Sequence, residues 1–104
     1  MDSNQKFLSN QVNVAVQVLP VSRDHDSYLM VDKAIEVIQQ SGVNYRVTPF
    51  ETVMEGSYDK LMEVVKHVQQ ACYQSGAGQV MCYVKIQSRA NSDVTILDKM
   101  EKYD

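Results

Sequence analysis

The chain has 104 residues, with 10 Lys and Arg against 13 Asp and Glu, so its formal net charge is −3. This length predicts one domain with a hydrophobic core of its own. No stretch approaches the roughly 20 consecutive apolar residues of a membrane-spanning helix, and a mildly acidic chain lacks the basic surface that attracts nucleic acid or anionic lipid. The first residues contain no long apolar run, so we expect no signal peptide and a cytoplasmic protein.

Cysteine and histidine are too sparse to predict a disulfide framework or a metal centre. Cys72 and Cys82 lie among apolar residues and form no C-x-x-C pair, so we interpret them as reduced, buried thiols. His25 and His67 have no second ligand at a metal-site spacing. The sequence also contains no nucleophile elbow, P-loop or dinucleotide-binding motif. We therefore expect no catalytic residue, no metal and no cofactor.

The chain begins with a polar, aperiodic stretch and then alternates. Residues 1–10 predict a flexible N-terminal tail, followed by a single domain over residues 11–104. A first strand is predicted where valine recurs at every second position, at Val12, Val14, Val16 and Val18. Pro20 is expected to end this strand, because proline cannot donate to a β ladder.

The spacing then changes to that of a helix and back to that of a strand. A helix is predicted where apolar residues are three and four apart, at Tyr28, Val31, Ala34, Ile35 and Ile38. Asp26 or Ser27 is the expected N-cap, and Gly42 is the expected terminator. Alternation over residues 43–47 predicts a second strand, which Pro49 closes.

A hairpin and a second helix follow. Residues 52–55 predict a third strand, which lies so close to the second that the two must pair antiparallel. Ser57 is the natural N-cap of a second helix, whose apolar stripe is Leu61, Val64, Val65, Val68 and Cys72. The turn at residues 75–78 is expected to end that helix.

The last elements complete the fold. A fourth strand is predicted over residues 79–86, with one face formed by Val80, Cys82, Val84 and Ile86. Asp93 is the expected cap of a last helix that carries Val94, Leu97 and Met100. The order β-α-β-β-α-β plus a C-terminal helix predicts an α+β ferredoxin-like sandwich, in which two helices cover one face of a four-stranded antiparallel sheet.

The other face of such a sheet is left without a helix. Alternation points Asn13, Ala15 and Gln17 to it from the first strand. The fourth strand adds Met81, Tyr83 and Lys85. This mixture is too apolar for a purely solvated surface, so we expect the chain to form a homo-oligomer through this face. The alternative is a monomer with a mixed, exposed face.

The sequence allows two roles for the carboxylate of Glu55. It is the last residue of the third predicted strand, close to the start of the second helix. A carboxylate there can simply stabilise the helix N-terminus, by about 0.3–1 kcal/mol. It can also anchor a ligand, because its two oxygens accept hydrogen bonds from a cationic or amidine-like group.

The stretch around Glu55 carries a family resemblance. Thr52-Val53-Met54-Glu55-Gly56, with Asp59 and Met62 in the next helix, resembles the T-x-x-E-G signature of the YkoF-like thiamine-binding family, which was formerly uncharacterised. In the same alignment, the chain resembles the family pattern at further positions, which are Pro20, Ser41-Gly42, Lys85 to Arg89 and Lys99. The resemblance covers residues 12 to about 100.

The resemblance implies a fold, a function and candidate site residues. It implies a ferredoxin-like carrier that is not an enzyme, forms dimers or tetramers through its sheets, and binds thiamine or its hydroxymethylpyrimidine part near a subunit interface. Thr52 and Glu55 become the first ligand-site candidates. Gln17 and Tyr83 are added from their outward position on the sheet, where they can offer hydrogen bonding or stacking.

Two departures from the family pattern concern the ligand more than the fold. Glu51 stands where the family often has glycine, and Gln69 stands where a histidine is common. We therefore predict a non-catalytic, homo-oligomeric binding protein for thiamine or a related pyrimidine. One alternative is a regulatory or scaffold module that acts through oligomeric contacts without a ligand. The other is a dimeric ferredoxin-like enzyme that uses the open face of its sheet.

Overall fold

A four-stranded antiparallel sheet is the centre of the structure, a computed structural model that describes residues 3–104. The strands are β1 (Gln11–Val21), β2 (Asn44–Val47), β3 (Thr52–Ser57) and β4 (Gln79–Gln87), and the helices are α1 (Ser27–Gln40), α2 (Tyr58–Gln74) and α3 (Ile96–Met100). The strands lie in the order β2-β3-β1-β4. This confirms the predicted ferredoxin-like α+β fold. None of the helices within residues 3–104 is long and apolar enough to cross a membrane.

Helices α1 and α2 pack on one face of the sheet and form the core. The alternating valines of β1 point to this face, and Val12, Val14 and Val16 are buried. The predicted stripe of α2 meets them and is buried throughout, from Leu61 to Cys72. Each fully buried side chain of this size stabilises the fold by about 1.5–3 kcal/mol. Burial raises the pKa of both cysteine thiols, so they stay protonated at neutral pH.

The termini of α1 and α2 are where the sequence predicts them. Asp26 caps α1, and its Oδ1 accepts a hydrogen bond from Tyr28 N at 2.8 Å. Ser57 caps α2 in the same way through Lys60 N, at 3.4 Å. Gly42 follows α1 with a φ of +83°, a conformation that glycine adopts without a Cβ clash.

Pro20 does not end β1, contrary to the expectation. The strand continues to Val21, and Pro20 pairs with Val80 of β4. On the other side, β3 accompanies β1 only as far as the pair Val16 and Thr52. Beyond that pair β1 is an edge on the β3 side, where a residue without an N–H removes no ladder hydrogen bond.

Residues 3–10 of the predicted tail are more structured than their polar sequence indicates, and residues 1 and 2 lie outside the described part of the chain. Within the predicted tail, Ser3–Ser9 form a 3₁₀ helix. The ring of Phe7 packs edge-to-face on Tyr58, with the ring centres 5.6 Å apart. The Asn10 side chain donates to the carbonyl of Arg89 at 3.1 Å. One aromatic residue thus ties this segment to α2, a long-range contact that no local pattern reveals.

The C-terminal segment, residues 93–104, lies differently from the prediction. Thr95 rather than Asp93 caps α3, while Asp93 Oδ1 accepts a hydrogen bond from Gln11 N at 2.8 Å. Val94 is buried, and its carbonyl accepts from Asn13 Nδ2 at 3.0 Å. Asn13 points away from α1 and α2, yet it is only 3% exposed. The C-terminal segment therefore covers one end of the face that the two main helices leave bare.

The other end of that face stays exposed. We call it the open end, formed by Gln17 and Leu19 of β1 and by Met81 and Tyr83 of β4. Leu19, Met81 and Tyr83 are between 43% and 50% exposed. On the opposite face of β4, Val84 and Ile86 point to the helix side as predicted, but they too are exposed. They lie in the second half of β4, which is an edge strand, whereas Val80 and Cys82 in its first half pack against the core.

Candidate ligand-binding site

A cavity of about 260 Å³ lies between α1, the second half of β1 and the connection from β2 to β3. Its walls are mostly apolar, with Ala34 and Ile38 of α1 among them. The exposed aromatic residues Tyr28 and Phe50 also line it and stand at its rim. An apolar cavity with a few polar groups is the usual form of a small-molecule site. Its volume is just below the range of about 300–1,000 Å³ for drug-sized ligands, so it suits a ligand of about one ring.

The register of the sheet creates this cavity. Because β3 stops pairing with β1 at Val16, the following residues of β1 have no strand beside them on that side within residues 3–104. The connection turns away from β1 instead, and a local network holds its shape. Thr48 Oγ1 donates to the Glu51 carbonyl at 2.6 Å and accepts from Glu51 N at 3.1 Å. The space beside β1 is thus left open by a fixed turn.

Thr52 brings a hydroxyl to the cavity. It lines the cavity, lies on the helix-facing side of β3 and is only 5% exposed. Across residues 3–104, its hydroxyl forms no hydrogen bond. The hydroxyl oxygen keeps contact with the open space of the cavity, since Asn13 Oδ1 is the one side-chain polar atom of the described residues that is fully buried without a partner. It is available to a ligand as both donor and acceptor.

Gln17 and Tyr83 are neighbours across the sheet. Their Cα atoms are register partners between β1 and β4. Gln17 is half-buried and contributes to the cavity wall, where it follows Val16 along the strand. Tyr83 is 50% exposed and belongs to the open end, outside the set of residues that line the cavity. The structure therefore groups Gln17 with Thr52, with Tyr83 on the adjoining surface.

Glu55 lies apart from Thr52. The two residues point to opposite faces of β3, as the alternation predicts. Glu55 Oε1 accepts a hydrogen bond from Ile96 N at 2.7 Å, and Oε2 accepts from Asn44 Nδ2 at 3.0 Å. Its carboxylate therefore stands at the N-terminus of α3, not of α2 as the electrostatic interpretation supposed. In this arrangement it holds the C-terminal segment on the sheet.

The departure at Glu51 also has a defined place. Glu51 Oε1 lies 2.9 Å from Lys85 Nζ, and the Glu51 side chain is 25% exposed. This ion pair links the connection to the outward face of β4. Glu51 nevertheless belongs to the cavity wall, so it brings negative charge to the edge of the cavity. No lysine or arginine of residues 3–104 lines this cavity.

Sequence reasoning missed the cavity because two strands of unequal length create it. β1 continues to Val21, past Val16, where its pairing with β3 ends, and this difference is visible only when the register of the two strands is known. The sequence held one local signal, since Phe50 is a large aromatic residue directly after Pro49 in the connection between two predicted strands.

Known relatives resemble this chain along most of its length. A UPF0045 protein of Clostridium perfringens is 45% identical over 91 residues, which is 88% of this chain and 95% of that protein. A UPF0045 protein of Methanothermobacter thermautotrophicus is 33% identical over 72 residues, covering 68% of this chain and 73% of the relative.

Solved structures agree with these relatives. A domain of unknown function, DUF77, from Bacillus cereus superposes with a TM-score of 0.90 and 47% identity, covering 94% of both chains. A Thermotoga maritima protein, described as a candidate thiamine biosynthesis or salvage protein, gives a TM-score of 0.81 and 31% identity over 90% of this chain and 99% of its own. The family model of the thiamine-binding proteins matches residues 14–104. The chain therefore belongs to the thiamine-binding protein family.

Proposed function

We propose that this protein binds thiamine, or the hydroxymethylpyrimidine part of thiamine, in the cavity beside β1, and that it does so without catalysis. Membership of the thiamine-binding family supports a small-molecule ligand. The Thermotoga maritima relative, with its description in thiamine biosynthesis or salvage, supports the chemical class. The observation that carries the proposal is the hydroxyl of Thr52, which has no hydrogen-bond partner within residues 3–104 and is accessible from an apolar cavity.

The chemistry of the cavity suits an aminopyrimidine. Such a ring is flat and apolar on its faces, and it carries ring nitrogens and an amino group at its edge. Thr52 can donate to a ring nitrogen or accept from the amino group. The unpaired edge of β1 beyond Val16 adds main-chain donors and acceptors at the cavity wall. At about 260 Å³, the cavity takes the pyrimidine and leaves the thiazolium towards the rim.

The rim fits a cation better than an anion. Tyr28 is 81% exposed and Phe50 is 80% exposed, and aromatic faces attract cations. Glu51 adds a carboxylate to the same wall. A thiazolium at the rim thus meets two aromatic rings and a negative charge. In the proposed pose, Gln17 lies on the wall of the site and Glu55 serves the C-terminal segment.

Self-association belongs to the same proposal. The open end exposes Leu19, Met81 and Tyr83, and a second copy is the proposed partner. Leu19 also contributes to the cavity wall, so a dimer or tetramer formed there places the ligand beside the subunit interface. Light scattering is expected to show a dimer or tetramer, and Met81→Lys is expected to shift it towards monomer. A single monomer at all concentrations would refute the interface.

The direct test is calorimetric titration of the full chain with thiamine, thiamine phosphate and hydroxymethylpyrimidine. A ligand that binds only the native state must also raise the melting temperature. We expect hydroxymethylpyrimidine and thiamine to bind, and an analogue without the amino group of the pyrimidine to bind more weakly. No binding of any of these compounds would refute the proposal and would favour a scaffold that acts through its open end alone.

Glu55→Gln separates two roles for the second candidate residue. If Glu55 serves the C-terminal segment, the variant binds thiamine as the wild type does, while the amide of Ile96 exchanges with solvent faster. A loss of thiamine affinity with unchanged exchange at Ile96 would instead restore Glu55 as the ligand anchor that the family resemblance implies. Tyr83→Phe tests the remaining candidate in the same titration.

A further inference from the structure

A second cavity, of about 470 Å³, lies on the other side of the β2–β3 hairpin. It is formed between the outward face of the hairpin and α3. Val53, Ile96 and Met100 give it an apolar floor and wall, and Arg46 and Lys99 bring two cations to it. No acidic residue of the described part of the chain lines this cavity. Its lining thus has the opposite charge from that of the cavity beside β1.

The charge of Lys99 is poorly compensated. Lys99 Nζ donates to Gln87 Oε1 at 2.8 Å, and that partner is a neutral amide. Burial and the positive charge of Arg89 lower the pKa of Lys99, while Glu55 acts in the opposite direction. Burial is the largest of these causes, so the ammonium is partly desolvated and an anion beside it is stabilised.

Arg46 already holds a carboxylate from the chain itself. Its Nη1 and Nη2 donate to Asp104 Oδ2 and Oδ1 at 2.8 Å and 2.7 Å, a bidentate pair. The geometry of the guanidinium at this cavity is thus suited to an anion with two oxygens. Both side chains are about half exposed, and ion pairs so accessible to solvent are weak. An anion from solution can therefore displace Asp104 at little cost.

We propose that this second cavity binds a small organic anion, whose carboxylate or phosphate pairs with Arg46 in place of Asp104 and whose apolar body lies against Val53, Ile96 and Met100. Lys99 supplies the second positive charge. Asp104 is then an internal competitor that occupies the guanidinium of Arg46 when no ligand is present. This site is separate from the cavity beside β1, because the hairpin stands between them and its two cations repel a thiazolium.

The test uses benzoate and phenyl phosphate as probes, titrated into the full chain and followed by amide shifts in NMR spectra. Benzyl alcohol has an apolar body without the charge, and inorganic phosphate has the charge without the body. Both organic anions are expected to shift the amides of Val53 and Ile96 and to bind at least about tenfold more tightly than either control. Equal binding of inorganic phosphate would overturn the proposal, since it would indicate an ion on Arg46 alone.

Two variants give effects of opposite sign. Arg46→Gln is expected to weaken phenyl phosphate binding by about fivefold or more, through the loss of a bidentate partner. Asp104→Asn is expected to tighten it by about two- to fivefold, because the competing carboxylate is gone. Arg23→Gln removes an exposed arginine in the loop before α1 and is expected to change nothing. A weaker complex with Asp104→Asn would overturn the competition, and an equal loss with Arg23→Gln would reduce the effect to overall charge.

Discussion

Replacing Thr52 by valine is predicted to make the protein more stable and a poorer ligand binder at the same time. The two side chains have nearly the same shape, so Thr52→Val removes the hydroxyl and leaves the packing in place. Thr52 is 5% exposed and forms no hydrogen bond within residues 3–104. The hydroxyl therefore costs stability in the free protein, and in our proposal the ligand relieves that cost.

The magnitudes follow from burial and hydrogen bonding. A fully buried hydroxyl without a partner costs about 1–3 kcal/mol, and the cost at Thr52 is smaller because its hydroxyl is accessible from the cavity. A methyl group in its place gains roughly 0.8 kcal/mol. Water that enters the cavity offsets part of this cost, so we expect Thr52→Val to stabilise by about 0.5–1.5 kcal/mol. Removing one hydrogen bond to the ligand costs about 0.5–1.5 kcal/mol of binding free energy, which is about a 2- to 12-fold loss of affinity for hydroxymethylpyrimidine.

The matched control is Thr48→Val, in the same cavity wall. The hydroxyl of Thr48 is fully used, since it donates to the Glu51 carbonyl and accepts from Glu51 N. The same chemical change there is expected to destabilise, by about 1–2 kcal/mol. Urea unfolding of both variants measures the stabilities, and calorimetry on Thr52→Val measures the affinity. If Thr52→Val lowers stability as much as Thr48→Val and leaves the affinity unchanged, the hydroxyl of Thr52 serves the fold and the reasoning is refuted.

Two further predictions concern the ends of helices and of the chain. Gly76→Ala is expected to lower the free energy of unfolding in urea more than Gly42→Ala. Both glycines have positive φ, but an added Cβ at Gly76 lies 2.6 Å from His25 Nδ1, while at Gly42 it meets nothing within 4 Å. Equal losses of stability would show that the His25 ring moves aside freely. The hydrogen bond from Arg46 lowers the pKa of Asp104. The ion pair is therefore fully formed above the ordinary carboxyl pKa of about 3.9, and its contribution to stability is lost as the pH falls through the lowered value. An NMR titration in which Asp104 titrates at the ordinary value would contradict this.

Local signals in the sequence predicted most of the fold. The alternation of β3 correctly places Thr52 and Met54 on the buried face and Glu55 on the other. The caps of α1 and α2 were equally predictable, because a cap is a contact between residues two or three positions apart. Such features depend on neighbours along the chain, and the sequence displays those neighbours directly.

Features that depend on distant residues were not predictable in this way. The alternation of β1 predicts that the Asn13 side chain points outward. Only its hydrogen bond to the Val94 carbonyl reveals that the C-terminal segment covers it. Pro20 breaks a strand in general but is tolerated here, because β3 ends at Thr52 and leaves that side of β1 unpaired. The same mismatch in length opens the candidate cavity. Both the failure at Pro20 and the missed site therefore have one cause, which is the register between β1 and β3.

The β2–β3 hairpin explains how one small domain can offer two sites of opposite preference. Residues 47–49 contribute to both cavities, so the sites lie back to back across a single layer of chain. On the α1 side the titratable groups of the wall are the carboxylate of Glu51 and the phenol of Tyr28, which suit a cation. On the α3 side the charged groups are Arg46 and Lys99, which suit an anion. Arg46 pairs with Val53 across the hairpin and shares its face of the sheet, whereas Thr52, next to Val53 on β3, points to the opposite face. Arg46 can therefore line one cavity while Thr52 lines the other. If both proposals hold, each site selects its ligand first by charge.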